Sequence, residues 1–130
     1  MTAREVSKFF GGRIAALDRF PELAQLLGRI SVAYAPLAVI LYGSRARGDA
    51  TASSDWDLKV IVSDDAPDPV LALMSGWHLQ EGSGVYGDVS CVRLSEFVSD
   101  LNVANSAASH LVDEGIVLDL GSVTKQDFLR

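Results

Sequence analysis

Hydrophobic and polar positions alternate along the chain in two rhythms, a helical one near the start and short continuous apolar runs toward the middle. Thr2 and Glu5 have the Thr-x-x-Glu spacing in which a hydroxyl and a carboxylate reciprocally cap a helix start. Val6, Phe9 and Phe10 follow at apolar steps, so a first short helix is expected to stop near Gly11-Gly12. Pro21 suits a first helical position, and Leu23, Leu26, Leu27, Ile30 and Tyr34 recur every three or four residues, which puts them on one stripe. That pattern predicts a core-facing helix ended by Pro36. Leu37 to Tyr42 is an unbroken apolar run rich in strand formers and closed by Gly43, the signature of a central strand buried on both faces. Leu58 to Val62 reads similarly and is closed by Ser63-Asp64-Asp65.

Downstream, Asp64 to Pro69 is turn-rich and acidic and reads as solvated loop, with Val70 to Met74 as a helical turn. Trp77 to Gln80 and Val85 to Leu94 predict two strands of a hairpin around Glu81-Gly82-Ser83-Gly84. Ser95 is placed to cap a helix through about Leu101, and a second helix from about Ala104 to Glu114 is expected to end at Gly115. Ile116 to Leu120 is the last candidate strand, and the final ten residues are mixed in character. With no repeat, low-complexity tract or linker, the 130 residues are expected to form one α/β (α+β) domain around one core.

Composition narrows the partners. Apolar residues make up 48% of the chain and charged residues 22%, the profile of an ordinary globular protein. A mean hydropathy of +0.22 is high for so small a domain and hints that a partner covers some apolar surface, leaving a homo-oligomer open. The balance of 11 basic against 17 acidic residues, net −6, opposes the field that attracts a polyphosphate backbone, so duplex nucleic acid is not the expected ligand. No apolar run approaches the ~20 residues of a bilayer-spanning helix, so no membrane span is expected. A lone Cys91 can form no internal disulfide, and Met-Thr-Ala-Arg-Glu carries no signal pattern, which makes the cytoplasm the expected location. His78 and His110 have no metal-ligand spacing to each other or to Cys91, so packing or surface roles are expected of them.

Candidate chemistry is concentrated between Leu41 and Leu58. A buried strand runs into Gly43-Ser44, a basic turn containing Arg45 and Arg47 follows, and after a ten-residue spacer, Arg45 to Ser54, comes Asp55-Trp56-Asp57 at the head of another strand. Gly43 lets backbone approach a ligand closely, Ser44 offers a hydroxyl to a phosphate oxygen, and a helical turn opening there would add free N–H groups. Arg45 and Arg47 are candidate phosphate contacts, with solvated turn charges as the alternative. Asp55 and Asp57, two apart on a strand, present both carboxylates to one face. Such a pair is tolerable when a hard divalent cation lies between them, and Mg²⁺ favours few carboxylates plus phosphate oxygens. Asp88, isolated in the otherwise uncharged stretch Tyr86 to Val92, is the candidate third ligand.

Gly43-Ser44, the spacer, Asp55-x-Asp57 and Asp88 together resemble the minimal nucleotidyltransferases of the DNA polymerase beta superfamily. The Gly-Ser-Arg-Ala-Arg-Gly opening is similar to that of the small proteins paired with HEPN toxins, and the likeness extends to Asp-Glu-Gly-Ile-Val-Leu near the end; Trp56 departs from the usual aliphatic residue. The resemblance implies a nucleotidyltransferase fold, a small mixed sheet of about four to five strands with helices mainly on one face. It also implies two Mg²⁺ ions held by Asp55, Asp57 and Asp88, ATP lying against Ser44, and Asp88 as general base toward an incoming hydroxyl. On that basis the expected reaction is AMP transfer to a hydroxyl, that of a tyrosine on a HEPN-type toxin partner, serving as the antidote. Modification of a small molecule, in the manner of aminoglycoside nucleotidyltransferases, and a non-catalytic nucleotide-binding module acting by contact alone are the alternatives.

Overall fold

A computed structural model of the chain describes residues 1–71 and 78–120. Its centre is a five-stranded mixed sheet of β1 (Ile14–Ala16), β2 (Ala38–Tyr42), β3 (Trp56–Val62), β4 (Gly87–Arg93) and β5 (Ile116–Asp119) in the order β1-β5-β2-β3-β4. β2 runs antiparallel to both neighbours, β3 and β5, while the outer pairs β3–β4 and β1–β5 are parallel. The central position of β2 accounts for its unbroken apolar run. Val39 and Leu41 pack under α2 (Ala24–Tyr34), and Ala38 and Ile40 face the opposite layer.

Each face of the sheet has its own cluster. On one, the expected stripe of Leu23, Leu26, Leu27, Ile30 and Tyr34 meets Leu58, Val60 and Val89, and Cys91 packs at its margin as a small apolar side chain. On the other lie α1 (Ala3–Ser7), α4 (Leu94–Leu101) and α5 (Ala107–Glu114), joined through Val6, Phe10, Phe97, Ala108 and Leu111. Phe10 and Phe97 stack there with ring centroids 5.8 Å apart. The helices are thus gathered mainly on one face, with α2 covering the other. Among the described residues no helix is long and apolar enough to cross a membrane.

Local signals formed much of this. Glu5 N–H donates to Thr2 Oγ1 at 3.2 Å and Thr2 N–H to Glu5 Oε1 at 3.1 Å, completing the expected capping box. α5 begins at Ala107, three residues later than the spacing suggests, and is capped by Ser106, whose Oγ accepts the Ser109 N–H at 3.1 Å.

The expected hairpin does not form. Residues 78–80 make a helical turn rather than a strand, and β4 takes β3 as a parallel partner, with Trp56 N–H bonded to Tyr86 O at 2.8 Å. Four residues of alternating character cannot separate a short strand from a turn of helix. Tertiary contact decides instead: the Arg29 guanidinium of α2 donates to Leu79 O at 2.9 Å and Glu81 O at 2.6 Å, carbonyls a strand would spend on a ladder. Ser95 is likewise no cap, because α4 already starts at Leu94; Ser95 N–H donates to Asp64 Oδ1 at 2.9 Å, so a residue of the acidic loop caps the helix from a distance. Strand β1, only three residues long, had no detectable periodicity. A 3-10 turn spans Asp68–Leu71; the rest of the helical turn expected at Val70 to Met74, together with Trp77 and the final ten residues, lies outside the described residues.

Candidate active site

Three features of the sheet bring the candidate residues together. β2 ends at Tyr42 and passes through Gly43 into the four-residue α3 (Ser44–Arg47). β3 starts beside that exit, with Tyr42 and Asp57 as antiparallel Cα partners. β4 lies along β3 in register, with Asp57 opposite Asp88. Equivalent positions in a parallel pair point the same way, so Asp57 and Asp88 share a face, and Asp55, two residues ahead of Asp57, is the third acid beside them.

Their charges are felt. The Asp57 carboxyl is held above the usual carboxylate range, first by its partial burial and then by Asp88, Asp55 and Glu114, with Arg47 pulling the other way. A hard-oxygen set in which Asp57 is surrounded by other carboxylates in this way fits a divalent cation, which would take the place of the proton on Asp57. Among the described residues no three His, Cys, Asp or Glu side chains stand close enough to hold an ion as they are.

Gly43 has φ +74° and ψ −158°, and a Cβ built on it would meet Asp57 Oδ2 at 2.2 Å. The close approach that requires glycine is therefore made by the carboxylate of the next strand. Gly43 O accepts the Ala46 and Arg47 N–H groups at 3.1 and 3.0 Å, fixing the first turn of α3 and setting Ser44 at its first position.

The two arginines of the turn go different ways. Arg45 lies over Trp56, its guanidinium carbon 4.4 Å from the ring centroid, and donates to Ser54 O at 2.9 Å. It braces the spacer on the α2 face, where Trp56 is buried and meets Phe20 edge-on at 6.0 Å between centroids. Trp56 thus packs behind the acids and leaves Asp55 and Asp57 on the other side. Arg47 turns toward the site, donating to Glu114 Oε2 at 3.0 Å and to Asp49 Oδ2 at 3.3 Å.

Glu114, the last residue of α5, was visible in the sequence only as a helix end. Its Oε1 accepts the Gly43 N–H at 3.0 Å. An acid at the carbonyl end of a helix sits where a cation is favoured, and that misplacement was the available signal. Tyr42 and Lys59 also join the site's face. Burial raises the Tyr42 phenol, Ser90 pulls the other way, and Asp57, Asp88 and Glu114 add to the rise. Burial lowers Lys59, partly offset by Asp88. Both line a cavity of about 340 Å³ between the sheet and α4–α5, with Phe97, His110, Leu111 and Glu114 in its wall. His110 meets solvent there, and His78 lies 3.8 Å from Glu81 on the surface.

Comparison with the curated proteins and with the solved structures gave no match. The family model described as "Polymerase beta, Nucleotidyltransferase" matches residues 28–118, a span that runs from within α2 through the Gly-Ser turn and all three acids into β5. This chain belongs to that polymerase beta nucleotidyltransferase family.

Proposed function

We propose that the chain transfers AMP from ATP to a hydroxyl group in a Mg²⁺-dependent reaction, and that the acceptor is a tyrosine of a HEPN-type toxin, the modification serving as antidote in the cytoplasm. The observation that carries the reading is the shared face of Asp57 and Asp88, next to Asp55 and to the Gly43-Ser44 turn.

In this reading Asp55, Asp57 and Asp88 would hold two Mg²⁺ ions, which would make the acceptor hydroxyl more acidic and offset charge on the departing pyrophosphate. Ser44 and the amides of its turn hold the triphosphate, with Arg47 as the nearby cation and Arg45 acting indirectly by bracing the spacer. Asp88 accepts the proton of the acceptor hydroxyl. The acceptor oxygen bonds to the α-phosphorus as the bond from that phosphorus to the pyrophosphate oxygen breaks. The protein contributes placement and charge rather than a covalent intermediate. A protein acceptor is supported by Tyr86, 78% exposed and two residues ahead of Asp88, and by the exposed apolar side chains Val98 and Val103.

A second reading is favoured by the cavity lined by Tyr42 and Lys59, whose volume of about 340 Å³ is within the small-molecule range. There the acceptor is a small hydroxylated compound. Incubation with α-labelled ATP, Mg²⁺ and either a HEPN-type partner or hydroxylated small molecules separates the two by where the label goes. Label on neither class under any divalent metal would remove the enzymatic reading. Asp55→Ala and Asp57→Ala should each lower transfer by several orders of magnitude. A module that neutralises its partner by contact alone would keep protecting with both substitutions in place.

A further inference from the structure

Glu114 spans the turn that the proposed function assigns to the triphosphate. Its two carboxylate oxygens engage a donor on either side of α3, the Gly43 N–H ahead of it and the Arg47 guanidinium at its end, each at 3.0 Å. Two anionic oxygens on a backbone amide and an arginine are what a phosphate group would present to the same donors.

The arrangement is anchored from outside the site. The Arg13 side chain donates to Gly115 O at 2.9 Å and to Val112 O, capping the carbonyl end of α5. Gly115 packs so tightly that an added Cβ would meet Leu111 O at 2.7 Å and Ile40 Cγ2 at 2.8 Å. The backbone that carries Glu114 is therefore fixed, and only its side chain has freedom. Glu114 also lines the cavity that holds Lys59 and His110, His110 being one helical turn back on the same helix. The carboxylate therefore has an alternative place to go, in a cavity that Lys59 also lines.

We propose that Glu114 is an internal competitor for the phosphate-binding turn: its carboxylate occupies the Gly43 amide and Arg47 in the nucleotide-free protein and yields them to the incoming triphosphate by withdrawing into the neighbouring cavity. The inference rests on the proposed nucleotide site. It makes Glu114 a positioning residue for nucleotide binding with no part in the bond-making step.

A clamp and a competitor give opposite signs. Removing a clamp loosens the turn and weakens nucleotide binding, whereas removing a competitor strengthens it. Calorimetric titration of ATP with Mg²⁺, and of inorganic tripolyphosphate, into wild type and Glu114→Gln should show about tenfold tighter binding for the variant, the scale of one charge-assisted hydrogen bond no longer given up. Glu114→Asp keeps the charge but shortens the reach, and should tighten binding in the same direction. Asp113→Asn removes the same charge one residue back on the exposed side of α5 and should leave binding unchanged. Equal or weaker binding by Glu114→Gln and Glu114→Asp, or a gain in Asp113→Asn as large as theirs, overturns the inference while leaving the nucleotide site in place. Binding by no variant and not by wild type removes the nucleotide site and the inference with it. A thermal melt of each variant accompanies the titrations, and if Glu114→Gln lacks a cooperative transition, Glu114→Asp carries the test.

Discussion

Asp57 Oδ2 lies only 2.2 Å from where a Cβ on Gly43 would stand, so the glycine that follows β2 and the acid in the second position of β3 occupy one shared space. The motif's glycine and its aspartate, fourteen positions apart along the chain, are a single packing unit once β2 and β3 pair.

Gly43→Ala should therefore damage the site more than the fold. The conformation, φ +74° with ψ −158°, is strained for alanine by about 1–3 kcal/mol, and the added methyl must push the Asp57 carboxylate aside. A displacement on the ångström scale at a reacting centre lowers turnover by about 100-fold. Chemical denaturation alongside nucleotidyl-transfer assays should show a modest stability change and the larger loss in activity.

Asp57 gives a pH signature to the metal-free protein. Burial and the neighbouring acids raise its proton affinity in the folded state above that in the unfolded chain. The stabilisation by its proton is fully present below the unfolded value, near 3.9, and is lost as pH rises through the higher folded value. Asp57→Asn should thus melt higher than wild type near pH 7, with the difference shrinking as the buffer is taken toward pH 4. Glu5 and Asp64 are shifted downward by their hydrogen bonds and act in the opposite sense, and the wild type-minus-variant difference cancels them. Melting curves from pH 4 to 8 in a chelator check this, and Mg²⁺ added at pH 7 should raise wild type more than Asp57→Asn.

Gly115→Ala tests whether the site depends on the packing beneath it. The new methyl would face Leu111 O, Ile40 and Phe10, all within 3 Å, and all three residues belong to the buried core. Overpacking of this kind lowers stability by about 1–3 kcal/mol, read as a shift in the urea midpoint. The same shift of α5 against β2 should also loosen the Glu114 contacts at Gly43 and Arg47.

Helix α2 and strand β2 were legible because each repeats one physical signal over enough residues, an apolar stripe in one case and an unbroken apolar run in the other. The Gly43-Ser44 and Asp55-x-Asp57 motif was legible because spacing along two adjoining strands is itself sequence. The strand expected at Trp77 to Gln80 rests on four residues, too few to carry a period, and at residues 78–80 Arg29, about fifty positions away, settles a helical turn instead. The role of Arg45 could not be read either, since its direction depends on Trp56 standing beneath it.

Sequence alone determined the central strands, the core-facing helix and the family, and it nominated the three acids as candidates, because local periodicity and motif spacing are carried by the chain itself. Only the tertiary structure decided that Asp88 stands opposite Asp57, that Arg47 rather than Arg45 faces the site, and that Glu114 closes over the Gly43 amide. Those relationships arise from strand pairing and from a helix end packed across the sheet, contacts between residues tens of positions apart that leave no mark in any local pattern.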